Sequence, residues 1–230
     1  MKIGGFQEFS LIDYPGKLCA IVFTQGCNFR CPYCHNADLV EPGKFGKPMP
    51  EEEIFSFLEN RKGKLDAVSI TGGEPTLQKD LVDFIIKLKS MGFLVKLDTN
   101  GSDPEKIDFL IKENLLDFIS MDIKSPPEKY GEVSRSDVDI EKIKRTIKII
   151  KNSGLDYEFR TTLVKGQILE EDIRKLGEFM RGSKSYVLQK FLPRNTLDPE
   201  FEKMESYSDE KFIEFKGIME GYVENCRVRV

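Results

Sequence analysis

The chain is expected to be an α/β protein, an open, partial (β/α)6 barrel, and three observations predict it. Short apolar, β-branched runs alternate with segments of helical period from residue 18 onward. Each helical stretch gives the chain room for a right-handed crossover, which makes the strands on either side parallel. Six such units fall short of the eight that close a barrel. With 230 residues the expected organisation is one domain over 1–230, long enough to bury a core without disulfide staples.

The elements follow in order. Leu18 to Thr24 reads as the first strand, and Pro50 opens a short helix from Glu51 to Leu58 whose leading acids suit the helix dipole. Ala67 to Thr71 is the second strand. The next helix carries Leu81, Phe84, Ile85, Leu88 and Met91 on one face and stops at Gly92. Phe93 to Asp98 is the third strand, and Ser102-Asp103-Pro104-Glu105 reads as cap and first turn of the helix bearing Ile107, Leu110 and Ile111. Leu116 to Ile123 is the fourth strand. Ile140, Ile143, Ile147 and Ile150 form an apolar stripe that ends at Gly154. Tyr157 to Val164 is the fifth strand, a helix with Ile173, Leu176 and Met180 runs to Gly182, and Tyr186 to Phe191 is the sixth. Ser208 caps a last helix to Glu220, and Cys226 to Val230 is a terminal strand. The stretches Glu41 to Pro48 and Ser125 to Asp139 are expected to be loops.

Charge and cysteine usage narrow the function. A formal net charge of −4, with acids and bases interspersed, lacks the basic stripe of a nucleic-acid footprint. Neither a signal-peptide core in Met1 to Glu8 nor a membrane-length apolar window is visible, so a cytoplasmic protein with no membrane partner is expected. Five cysteines, three of them in one loop, are not a disulfide framework. Cys19 and Cys226 are expected to be small core residues.

The three clustered cysteines are Cys27, Cys31 and Cys34, in the string Phe23-Thr24-Gln25-Gly26-Cys27-Asn28-Phe29-Arg30-Cys31-Pro32-Tyr33-Cys34-His35-Asn36. They follow the first strand directly, in a loop stiffened by Pro32. One loop at this spacing can wrap a soft metal centre with thiolates, yet three cysteines leave one iron of a [4Fe–4S] cluster open. A structural zinc site would need a fourth ligand; His35, the one histidine in the chain, is too close to Cys34 to close a tetrahedron with it. His35 is expected to orient the loop by a hydrogen bond.

More candidates sit at the carboxyl ends of the strands, where ligands gather on such sheets. Gly72-Gly73-Glu74 after the second strand offers close backbone approach and an acid that can pair with a cation. Asp98 and Asn100, in Asp98-Thr99-Asn100-Gly101, could reach a ribose or a bound ion. Asp122 and Lys124 project to one side, as the strand period dictates. Arg160 interrupts an apolar fifth strand and calls for an anionic partner.

The cysteine loop with Tyr33 before its last thiol resembles the radical S-adenosylmethionine (SAM) superfamily, and the full string resembles its glycyl-radical-enzyme activating enzymes, above all the activators of anaerobic ribonucleoside-triphosphate reductase. The resemblance runs from Ile12-Asp13-Tyr14-Pro15-Gly16 to about Pro193. It implies a radical SAM barrel, a [4Fe–4S] cluster on Cys27, Cys31 and Cys34, and reductive cleavage of SAM to form a glycyl radical on anaerobic ribonucleotide reductase. An external one-electron donor such as flavodoxin or ferredoxin is implied with it. It further implies that Gly72, Gly73 and Glu74 hold the SAM amino group, that Tyr33 and Asn100 also belong to the cofactor site, that Asp98 serves SAM and a monovalent cation, and that Arg160 meets the SAM carboxylate. Lys124 would approach that carboxylate or the partner's glycine loop, as the catalytic candidate. Leu192-Pro193-Arg194-Asn195 has Asn195 where those activators carry a histidine. The alternatives are activation of a pyruvate formate-lyase-type enzyme, a radical SAM reaction on a small molecule, and a non-catalytic iron–sulfur or zinc module.

Overall fold

Residues 1–229 are described by a computed structural model. Eight strands form one sheet in chain order: β1 (Ile3–Ser10), β2 (Cys19–Thr24), β3 (Ala67–Gly72), β4 (Leu94–Thr99), β5 (Phe118–Asp122), β6 (Asp156–Leu163), β7 (Tyr186–Lys190) and β8 (Cys226–Arg229). β1 is antiparallel to β2, and every later neighbour is parallel. The eight helices are α1 (Ala37–Val40), α2 (Glu51–Glu59), α3 (Leu81–Ser90), α4 (Pro104–Lys112), α5 (Tyr130–Ser134), α6 (Ile140–Asn152), α7 (Glu170–Met180) and α8 (Asp209–Met219). Six β–α units are thus followed by β8, and the sheet stays open between β1 and β8, its two edges. This is the expected partial barrel.

The pleat divides each strand between two environments. Outward residues such as Val22, Ile70, Leu97, Ile119 and Phe159 join the helix faces in the main apolar core. Each such side chain contributes about 1.5–3 kcal/mol by leaving water. Ile143, Ile147 and Ile150 bury the stripe of α6 against that core as expected. The helix starts also follow the sequence: Asp103 caps α4 through the Lys106 amide at 2.9 Å with Pro104 behind it, and Ser208 accepts from the Lys211 amide at 3.3 Å. At the amino ends of the strands, Tyr14, Cys19, Ala67 and Phe118 form a second small core that plugs the bottom of the barrel.

Strand bounds agree with the sequence pattern to within two residues, while other features differ, the short unexpected α1 among them. β1 was not expected: Gly4-Gly5 and the polar Gln7-Glu8 hide its alternation, and two register irregularities break its pairing with β2. The presumed loop 125–139 holds a 3-10 turn, Pro127–Lys129, and α5. A 3-10 turn, Pro42–Lys44, likewise sits in the loop after α1. Of the expected terminal strand, Val230 lies outside the described residues. Among those residues no helix is long and apolar enough to cross a membrane.

Candidate active site

The loop after β2 is pinned on both sides, so its thiols have little freedom. Phe29 and Tyr33, 3% and 6% exposed, anchor it in the core. The Arg30 amide donates to the Ser134 carbonyl at 2.9 Å, which makes the unexpected α5 one wall of the loop. The amides of Leu197 and Asp198 donate to the carbonyls of Cys34 and Pro32 at 2.9 and 3.0 Å, fastening it to the chain beyond β7. Cys27, Cys31 and Cys34 then border one cavity of about 390 Å³ at the carboxyl ends of the strands. Among the described residues no three His, Cys, Asp or Glu side chains are placed to hold a single metal ion. The thiols border a space and do not converge on a point.

That space suits a soft, multi-iron group. Cys27 Sγ accepts from the Phe29 amide at 3.4 Å and from Asn100 Nδ2 at 3.9 Å, donors that stabilise thiolate charge. Burial pushes the Cys27 thiol up to about 12 and raises those of Cys31 and Cys34, while the Lys124 ammonium pulls all three the other way. A metal centre held by these thiols would complete what Lys124 begins, because a ligating thiol is deprotonated. Cys19 and Cys226 are buried in apolar surroundings, and burial raises their thiols to about 11 and about 12.

Gly72 and Gly73 line the cavity, but their need for glycine comes from elsewhere. A Cβ on Gly73 would stand 2.1 Å from the Gly26 carbonyl oxygen, and one on Gly72 (φ 111°) would meet the Thr24 backbone at 2.5 Å. The pair lets the end of β3 lie flush against the thiol loop, held by Gly73 N–H to Thr24 O and Glu74 N–H to Gly26 O, both 2.8 Å. Glu74 has a structural role that the sequence did not show. Its carboxylate is fully buried and takes the Thr76 amide (3.1 Å), the Thr76 hydroxyl (2.6 Å), the Thr99 hydroxyl (2.8 Å) and the Asn100 amide (2.6 Å). Three of these bonds fall on Oε1 and one on Oε2, so the carboxylate splices β3 to β4 and is largely committed to the chain itself.

The cavity floor is a chain of alternating charges. Lys96 pairs with Asp98 Oδ1, and Arg160 Nη2 reaches Asp98 Oδ2 at 3.1 Å. Arg160 Nε pairs with Asp122 Oδ1, and Lys124 Nζ reaches Asp122 Oδ2 at 3.0 Å. All five residues line the cavity, with Asn100 beside them. Burial, the largest single influence, would raise the two carboxyls; Arg160 and Lys96 together outweigh it at Asp98, as Arg160 and Lys124 do at Asp122, and hold both below the usual carboxylate range. Three cations against two carboxylates leave one positive charge in excess, suited to an anionic group of a ligand.

The sequence missed Lys96, and also Thr162, Gln189 and Arg229, which line the same cavity. Lys96 could have been found: the alternation of Leu94-Val95-Lys96-Leu97-Asp98 places it on the face of Asp98. His35 is exposed; its ring lies 5.9 Å from that of Phe191 and faces the Leu192 backbone, tying the loop to the end of β7. Asn195 is exposed, in a left-handed conformation, away from the cavity.

Comparison with known proteins places this site in a class. The model of the radical SAM superfamily matches residues 21–180, and the chain belongs to that superfamily. It is an enzyme whose cofactors are a [4Fe–4S] cluster and SAM. Within the superfamily it is 40% identical, over 99% of its length and 95% of the relative's, to a protein of Methanocaldococcus jannaschii provisionally named a glycyl-radical enzyme activating enzyme. It is 29% identical to the pyruvate formate-lyase-activating enzyme of Clostridium pasteurianum, over 85% of this chain and 83% of that one. A radical SAM methyltransferase from Sphaerobacter thermophilus shares the fold with a TM-score of 0.70 at 17% identity, covering 94% of this chain and 67% of that one.

Proposed function

We propose that this enzyme activates a glycyl-radical enzyme, and that its protein substrate is an anaerobic ribonucleoside-triphosphate reductase. The observation that carries the proposal is the cavity itself: three thiols at its rim, a charge chain with one excess cation at its floor, and a sheet left open between β1 and β8. An open side admits a peptide loop where a closed barrel would admit only a small molecule.

Cys27, Cys31 and Cys34 hold the cluster, which when bound supplies the electron for reductive cleavage of SAM. Tyr33 buries the loop between the last two ligands. The Gly72-Gly73 backbone edge and Asn100 face the methionyl and ribose side of SAM, Arg160 and Lys124 offer cations to its carboxylate, and Asp98 and Asp122 fix those cations in place. One electron, one SAM and one glycine Cα–H are consumed; methionine, 5′-deoxyadenosine and a glycyl radical result. The electron comes from an external donor such as flavodoxin or ferredoxin.

The reductase is favoured by the string from Phe23 to Asn36. A pyruvate formate-lyase-type substrate is the second possibility, supported by the likeness to the C. pasteurianum activase. Reduced, cluster-loaded protein with SAM is expected to raise a glycyl-radical doublet in electron paramagnetic resonance on the reductase, with 5′-deoxyadenosine formed alongside. A doublet on pyruvate formate-lyase alone would move the substrate to that enzyme. SAM cleavage with no radical on either would replace the protein substrate by a small molecule.

A further inference from the structure

The resemblance to activases implied a monovalent cation at Asp98, and the floor of the cavity does not fit one. Lys96 precedes Asp98 by two residues on β4, so the pleat points both side chains inward, and Lys96 is only 2% exposed. Its ammonium takes Asp98 Oδ1, and Arg160 takes Oδ2. The neighbouring carboxylate is committed in the same way, with Arg160 on Asp122 Oδ1 and Lys124 on Oδ2. Each of the four carboxylate oxygens therefore faces a cation that is already part of the chain.

A dissolved cation could enter only by displacing one of these groups. Displacing Lys96 would leave a buried ammonium without the one side-chain partner the structure gives it, and an unpaired buried charge is strongly unfavourable. Adding the ion with no displacement would bring a second surplus positive charge beside Lys96 and Asp98, which are both buried. An ammonium carries the same single charge as a potassium ion and is of similar size. We propose that the tethered ammonium of Lys96 occupies the place of a monovalent metal ion in this site, so that SAM binding is independent of dissolved K⁺ or Na⁺. Lys96 is a positioning residue: it neutralises one side of Asp98 and leaves the other to aim the Arg160 guanidinium. The inference rests on the reading that this cavity holds SAM.

The test is the affinity of the cluster-loaded enzyme for SAM, measured by calorimetry in KCl, NaCl and tetramethylammonium chloride at equal ionic strength. The three values are expected to agree within about twofold. The Lys96→Met variant, similar in length but uncharged, is expected to bind SAM about tenfold more weakly in tetramethylammonium and to recover in KCl as K⁺ enters beside Asp98. A second readout needs no cofactor: KCl, compared with tetramethylammonium chloride, should raise the melting temperature of cluster-free Lys96→Met and leave that of the natural chain unchanged. A severalfold gain in SAM affinity of the natural enzyme on adding K⁺ overturns the inference even if the variant does not fold, and so does a folded variant indifferent to the cation. Failure of the natural enzyme to bind SAM in all three salts removes the SAM reading of the cavity, and this inference with it.

Discussion

On β4 the outward Val95 and Leu97 are fully buried in the main apolar core, and the inward Lys96 and Asp98, 2% and 8% exposed, are nearly as well shielded from water. The difference lies in what each face is shielded by. The outer face meets helix side chains, and any hydrophobic shape that fills the space serves there. The inner face meets other strands' charges across the barrel, where each group is tolerable only because its partner is present. β6 repeats the contrast, with Phe159 outward in the core and Arg160 inward between two carboxylates. One pleat thus separates the residues that stabilise the barrel from those that prepare it for a ligand.

The cysteines give the largest contrast between the two roles. Replacing Cys27, Cys31 or Cys34 by Ala is expected to abolish the charge-transfer absorbance and the roughly four irons of anaerobically reconstituted protein. Cys19→Ala and Cys226→Ala, in the cores, should keep both. Stoichiometric zinc without sulfide in anaerobically purified protein would overturn the cluster assignment.

Next comes the inner face itself. Arg160→Met leaves Asp98 and Asp122 each short of a partner, and about 3–5 kcal/mol of stability at pH 7 should be lost. Leu97→Ala on the outer face should cost a comparable 2–5 kcal/mol through its cavity, so acid separates the two. Because Arg160 depresses both carboxyls in the folded state, their contribution is present above the ordinary carboxylate pKa and fades as pH falls below about 4. Denaturant titrations from pH 7 to 3 should show Leu97→Ala losing stability on acidification in parallel with the natural chain, and Arg160→Met losing less. Parallel slopes for all three would mean that the charge chain is not what holds those carboxyls ionised.

Gly73→Ala probes the seam between the thiol loop and β3. Its Cβ would collide with the Gly26 carbonyl, a backbone atom that cannot swing aside, and overpacking of this kind costs about 1–3 kcal/mol. The strain falls on the loop that carries Cys27, so iron content should drop together with SAM affinity. Full iron with weakened SAM binding would show that the glycine serves the ligand directly.

Much of this is legible in the amino-acid sequence, for identifiable reasons. Periods of two and 3.6 placed the strands from β2 onward and the longer helices, and the cysteine spacing located the rim of the cavity. β1 escaped because its two glycines and two irregular pairings leave no alternation to read. α5 escaped because Pro126-Pro127 and Gly131 punctuate a helix of only five residues. Lys96 looked like an isolated charge in an apolar run, and only the register of three strands shows that it, Asp98, Asp122 and Arg160 share one interior. For Glu74 the motif fixed the backbone but not the direction of the side chain, which packing decides.

That direction makes the smallest and most discriminating prediction. In Glu74→Gln one carboxylate oxygen becomes an NH₂ group, and the two positions open to it are unequal only in appearance. One faces the Thr76 amide and the other the Asn100 amide; the Thr76 and Thr99 hydroxyls can turn to accept, but a backbone N–H cannot. Either orientation therefore sets donor against donor. The cost is partly offset because burial, which raises the Glu74 carboxyl above its ordinary value, penalises the charged group more than the neutral amide. A net loss of about 1–2 kcal/mol in thermal or denaturant unfolding is expected, with SAM affinity changed by no more than about twofold, since the side chain faces the splice between β3 and β4 and not the cavity. If the carboxylate instead pairs with the SAM amino group, the loss of a charge-assisted bond should weaken SAM binding by about tenfold or more while the melting temperature holds. Calorimetry and a melting curve on the same variant decide between a residue that shapes the site from behind and one that touches the ligand.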